Sequence, residues 1–351
     1  MITLVWRTDA HLADEPPQSR TDDWARTILG KVEQVGDIAR EVKAQLVLDG
    51  GDFFHVKSPS RNSHELVRRA TASHQGYPCP VYATIGNHDV KYGSMEFLGE
   101  SPLAVLFESG VFGRLYDQHE VFIGPAVGNP ETVRVHPFNR TTGVWSKGQP
   151  AKADKYPLVR VVGVPYHGAQ YDMNRFRVIQ KGPEDWLVAV VHCLSSSRGG
   201  TMFEGEDILR YSDMANMAPD MWLMAHWHKN QGCEKIGPDK WVVNIGSLSR
   251  GALTQDDLTR IPEVAILKFT KTEMTVTPRP LVVAPATEVF NVTGRARAEA
   301  REMTIDAFVG NLRTALAKKP ANSLLDALRT CDAPDAVRER ALGYLEKAGA
   351  R

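Results

Sequence analysis

Six of the eleven histidines in this 351-residue chain stand in short motifs, most of them beside carboxylate or amide side chains. The motifs are "TDAHL" (Asp9, His11), "GGDFFH" (Asp52, His55), "GNHD" (Asn87, His88, Asp89), "VVHC" (His192) and "AHWH" (His226, His228). Carboxylate oxygens, one amide oxygen and several imidazoles make an inventory for two divalent ions. Such mixed sets suit Mn, Fe, Zn or Co better than Ca or Mg alone. Two ions about 3.5–4 Å apart can clamp the attacking and leaving oxygens of an in-line displacement at phosphorus. One carboxylate must then bridge them, and Asp52, central in the series, is the natural choice. Singly, each motif is weak. A lone strand-end histidine is more often a structural residue, and Gly86-Asn87 alone reads as a turn. Five motifs in order, each behind a β-prone run, are hard to obtain by accident.

The β-prone runs cover residues 2–6, 46–48, 81–85, 159–164, 187–191, 222–225 and 241–245, with later candidates at 264–269 and 274–276. Helix-length segments at 23–43 and 63–75 separate the first three, and Trp24, Ile28, Val32, Val35, Ile38 and Val42 recur at helical spacing. This is an α/β layout, in which ligands gather beyond the carboxyl ends of strands. Residues 110–156, rich in Gly, Pro, Thr and Asn, read as hairpins and loops, with a brief strand at 132–135. From about residue 298 three helical segments of mixed charge follow. The expected division is a domain over 1–285 and a helical region over 286–351.

Lysine plus arginine and aspartate plus glutamate number 42 each, so no overall field draws the chain to nucleic acid. A DNA substrate remains compatible, because metal ions and a few basic side chains can neutralise phosphates locally. The four cysteines lack C-x-x-C spacing, which argues against a disulfide scaffold and a thiolate zinc site. With neither a signal-like start nor a membrane-length apolar run, the expectation is a cytoplasmic protein without a membrane partner.

The ordered series D-x-H, GD, GNHD, H and H-x-H, followed by Gly246-Ser247, resembles the calcineurin-like metallophosphoesterases over residues 1–285. The resemblance implies a two-layer β-sandwich flanked by helices, in four layers αββα, with a short helical region after it. Carried over by motif, one metal would take Asp9, His11, Asp52 and His228, and the other Asp52, Asn87, His192 and His226. His88 would face the substrate phosphate, with Asp89 orienting its imidazole from behind. The "GGDFFH" loop and "AHWHKNQG" look like the nuclease subunit of the bacterial SbcCD complex. That implies a manganese-dependent DNA exo- and endonuclease acting in repair, recombination or replication. The alternative within the superfamily is a nucleotide or other small-molecule phosphodiesterase or phosphatase. Departures include Ala225 for the usual Gly, and Ala13 followed by Asp14 and Glu15 near the expected cleft.

In the run "SSSRGG", Ser195 and Arg198 are candidates for phosphate contact, against a plain loop. Asp49 reads as a supporting or solvent-facing carboxylate, His64 and His74 as surface residues, and His167 as a weaker cleft candidate. Trp227 reads as packing. The C-terminal helices carry Phe308, Leu312, Leu316, Leu324, Leu325 and Leu328 at amphipathic spacing. They read as a cap on the same chain or, by resemblance, as a docking element for an SbcC-type coiled-coil ATPase. A homodimer is compatible with either.

Overall fold

The computed structural model describes residues 1–55, 62–152, 154–197 and 205–292, together with 338 and 341. The chain divides into two compact units, Met1–Phe290 and Asn291–Arg351. The expected C-terminal helices lie, but for those two residues, outside the described ones, as does Arg198.

In chain order the strands begin with β1 (Ile2–Arg7), β2 (Leu46–Asp49), β3 (Val81–Ala83) and β4 (Phe112–Arg114). Next come β5 (His119–Ala126), β6 (Asn129–Asn139), β7 (Val144–Trp145), β8 (Val159–Val164), β9 (Trp186–His192) and β10 (Ser195–Ser196). The series ends with β11 (Leu209–Arg210), β12 (Met221–Ala225), β13 (Gly232–Gly237), β14 (Lys240–Asn244), β15 (Glu263–Phe269) and β16 (Met274–Pro280). A six-stranded sheet has the order β16-β15-β1-β2-β3-β4, and an eight-stranded sheet the order β13-β14-β12-β9-β8-β5-β6-β7. β1 to β4 run parallel, as do β8, β9, β12 and β14. Antiparallel strands flank both groups.

Strand periodicity separates the layers. On β1, Leu4 and Trp6 join Leu48, Val161, Val190 and Leu223 in a core between the sheets. Val5, on the opposite face, joins the core under α1 (Trp24–Glu41) and α2 (His64–Gln75). The outer face of the second sheet, with Leu187, Val191 and Trp222, packs against Tyr171, Phe176 and Met214. The result is the expected sandwich of two sheets covered on both sides.

Asp23 caps α1 by accepting the Arg26 N–H, and Ser63 caps α2 by accepting that of Leu66. Two expectations need correction. His74 is buried, because Leu66, Ala70 and His74 form one helical stripe at intervals of four. In residues 110–156 the expected hairpin is present as β5–β6, but its strand candidate at 132–135 is longer than expected and runs over Asn129–Asn139. No helix among the described residues is long and apolar enough to cross a membrane.

Candidate functional site

The loops leaving β1, β2, β3, β9 and β12 meet at the carboxyl ends of the parallel strands. Backbone bonds zip the first two together: Asp9 N–H donates to Gly51 O at 3.1 Å, His11 N–H to Asp52 O at 2.9 Å, and His55 N–H to Leu12 O at 2.9 Å. Asp9, His11, Asp52 and His226 all adopt positive φ, between 51° and 80°. Side chains rarely accept that conformation unless the surroundings impose it, so strain concentrates where the candidate ligands stand. Gly86 is required for close approach: a Cβ there would lie 2.0 Å from Asp52 Oδ1 and 2.5 Å from His192 Cε1. Ala225 fits because Gly50 faces it, where an added Cβ would come within 2.8 Å of the Ala225 methyl.

Two groups of potential ligands share Asp52. Asp9, His11, Asp52 and His228 bring one ligand atom each to within 4.8 Å of one another, and so do Asp52, His192 and His226. In the first group His11 Nε2 is 2.8 Å from His228 Nε2 and 3.8 Å from Asp52 Oδ2. In the second, His192 Nε2 lies 3.4 Å from Asp52 Oδ2 and 3.3 Å from Asn87 Oδ1. His192 Nδ1 is 2.7 Å from the carbonyl of Gly50 and donates to it, which leaves Nε2 to face the carboxylate. Asp52 is fully buried, and its Oδ2 has no hydrogen-bond partner while standing between both groups. An orphaned carboxylate oxygen ringed by imidazole nitrogens fits a cation bridged by Asp52.

The electrostatics agree. Burial works against a charged Asp52, but His192, His88 and His11 outweigh it and hold its carboxyl well below the usual range. Burial likewise opposes a charged His192, and Asp52 overrides it, raising the imidazole to about 9. His11 is pushed well below its ordinary value by burial and by His228.

A third group of imidazoles adjoins the first. His55 Nδ1 is 3.0 Å from His11 Nδ1, and the His55 and His88 rings stack at 4.7 Å and 16°. His88 also sends its backbone N–H to Asp52 Oδ1 at 2.6 Å.

Asp89 does not orient His88. Its Oδ2 accepts the backbone N–H groups of Asp52 (2.7 Å) and Gly86 (2.9 Å), and its Oδ1 that of Phe54 (3.0 Å). Both oxygens are therefore spent on the main chain of two ligand loops. Ser195 is also corrected: it is fully buried in the short pairing of β10 with β11, so its hydroxyl is not presented to a substrate. Asp49 is neither solvent-facing nor a ligand, being paired with Arg7 at 2.7 Å. His167 bonds Pro165 O and packs on Tyr171 and Phe176, while its neighbour Tyr166 lies against His226 at 5.4 Å. Asp14 accepts the Ser63 hydroxyl at 3.0 Å. Sequence reasoning missed Tyr166 and Glu206, whose Oε1 is 2.9 Å from His226 Nε2.

Carboxylates and imidazoles converging at the strand ends of a four-layer sandwich define a metal-dependent phosphoesterase. Residues 8–230 match the calcineurin-like phosphoesterase family, and the chain belongs to it. Members bind two divalent metals, and the two groups around Asp52 are able to hold them. The chain matches no curated protein. Among solved structures it is similar to a protein of Thermus thermophilus, at 13% identity and TM-score 0.39, covering 79% of this chain and 98% of that one. A dimetal phosphatase from Danio rerio aligns at 10% identity and TM-score 0.46, covering 80% and 96%. An archaeal phosphodiesterase aligns at 14% identity and TM-score 0.34, covering 79% and 100%.

Proposed function

We propose that this phosphoesterase cleaves phosphodiester bonds of DNA, as a manganese-dependent exo- and endonuclease of the SbcD type in repair, recombination or replication. The observation that carries the reading is the stacked pair His55–His88, set beside His11 by the "GGDFFH" loop. A sugar alkoxide is a poor leaving group and gains from protonation as it departs. An imidazole next to the reacting phosphate can supply that proton, and such general acid catalysis contributes about 10²–10⁴-fold. His88 takes this role in our reading, with His55 holding its ring in place.

Asp9, His11, Asp52 and His228 would hold one cation, and Asp52, Asn87, His192 and His226 the other. When bound, two divalent ions, Mn²⁺ in this reading, supply Lewis acidity to the phosphate and to the attacking water. Asp52 spans both groups. Asp89 fixes the loops that carry Asp52 and Asn87. Residues 286–351 would serve either as a helical cap on the same chain or as a docking element for a coiled-coil ATPase partner.

The test offers purified protein with Mn²⁺ linear duplex DNA, single-stranded circles and cyclic nucleotides. Degradation of duplex ends and nicking of circles, exceeding cyclic-nucleotide turnover, is the expected result. Efficient cyclic-nucleotide hydrolysis with intact DNA would replace this reading with a small-molecule phosphodiesterase.

A further inference from the structure

Glu206 belongs to none of the histidine motifs, yet its side chain is only 14% exposed and reaches His226. Its Oε1 lies 2.9 Å from His226 Nε2 and also accepts the Tyr171 hydroxyl at 2.8 Å. The same hydroxyl oxygen accepts the Leu194 N–H at 2.7 Å, two residues beyond His192. Asp207, next in the chain, accepts the Tyr171 N–H at 2.8 Å and donates its own N–H to Ala169 O at 2.8 Å. The carboxylate is thus fastened to the exit of β9 and to the segment around residue 170.

An imidazole that can swing about its outer torsion or change tautomer is a poor ligand. A fixed carboxylate on the far nitrogen removes both freedoms and makes the near nitrogen more basic. With Nε2–H donating to Glu206, Nδ1 is the nitrogen left to face Asp52 and His192. The rings of Tyr166 at 5.4 Å and His192 at 4.9 Å flank the same imidazole. Glu206 itself is not among the groups converging within 4.8 Å there.

We propose that Glu206, braced by Tyr171, is the positioning residue of His226, locking it as the Nε2–H tautomer with Nδ1 turned to the second cation. The inference rests on the two-cation reading of the site. Mn²⁺ titrated calorimetrically into the full chain tests both. Wild type is expected to take two ions. Glu206→Ala should weaken one of the two sites about 10–100-fold and leave the other unchanged. Glu206→Gln keeps an acceptor oxygen and should recover most of that loss. Long-range ¹H–¹⁵N correlation on wild-type protein without metal should show His226 protonated at Nε2, a readout independent of how the variants fold. Two unaltered sites in Glu206→Ala, or His226 protonated at Nδ1 instead, overturn the inference alone. A Gln variant as weak as the Ala variant makes Glu206 a ligand and overturns it too. A wild-type chain that binds fewer than two ions overturns the two-cation reading and the inference with it.

Discussion

Asp49 closes strand β2 and Asp52 follows three residues later, both buried, in surroundings of opposite kind. Asp49 accepts Arg7 Nε at 2.7 Å and the Gly51 N–H at 3.0 Å. Arg7 in turn donates to Tyr77 Oη at 2.8 Å and to His74 Nε2 at 2.7 Å, and His74 Nδ1–H donates to Ala70 O at 2.7 Å. That cluster is closed, since each charge is met within it. Around Asp52 stand five imidazoles and a second carboxylate, with Oδ2 left over. The difference separates two uses of a buried carboxylate: one holds the helix layer to the first sheet, and the other keeps its charge for something from outside.

The largest effect should come from Asp52→Asn, which removes the shared ligand. Elemental analysis should find neither ion retained and phosphodiesterase activity should fall to background, while the circular dichroism spectrum stays that of the wild type. One ion still bound would mean that Asp52 does not span the two groups. Asp49→Asn should do the reverse. Leaving the Arg7 guanidinium buried without its counter-charge costs about 3–5 kcal/mol in urea unfolding. Ion stoichiometry should stay at two, and losing an ion as well would merge the two clusters into one.

His88→Ala sharpens the functional side. DNA cleavage should drop by about 10²–10⁴-fold, while bis-p-nitrophenyl phosphate, whose leaving group needs little protonation, should be far less affected, with both ions bound. Equal losses on both substrates would make His88 an electrostatic partner of the phosphate rather than an acid.

The smallest effect belongs to the closed cluster. Burial and Arg7 push His74 well below its ordinary 6.5. The unfolded chain therefore takes up a proton as pH falls through about 6.5 and the folded chain does not, so this stability is present above that pH and lost below it. The loss is at most about 1.4 kcal/mol per pH unit for one group. Comparing melting curves of wild type and His74→Gln between pH 7 and pH 5 should show a shallower decline in the variant. Parallel curves would mean His74 is charged in the fold.

The candidate metal ligands that the structure brings together were legible because each sits in a motif a few residues long at a strand end, where local sequence fixes both backbone and chemistry. The sandwich was legible only through the family resemblance that the ordered motifs carry; Leu4, Val5 and Trp6 are all apolar, and it takes the structure to divide them between two cores. Glu206 was not legible, because what brings it to His226 is tertiary: a tyrosine 35 residues earlier and a loop return. Asp89 was misread since a carboxylate beside a histidine suggests a pair, while two of the three amides it accepts, those of Asp52 and Phe54, come from a loop more than thirty residues away. Ser195 looked like a phosphate donor by composition alone, and only the β10–β11 pairing puts it inside. His74 could have been placed by its stripe with Leu66 and Ala70, had spacing been weighed above polarity.

Asp89 has one more consequence. A single carboxylate holds the amides of Asp52, Phe54 and Gly86, so it ties the two loops together beyond the ends of β2 and β3. The loops bearing Asp52 and Asn87 then have no independent way to breathe. To release one amide to solvent, the carboxylate must let go of its neighbours, and protons at all three should exchange with deuterium as a single slow unit. The centre is thus built to open all at once or not at all.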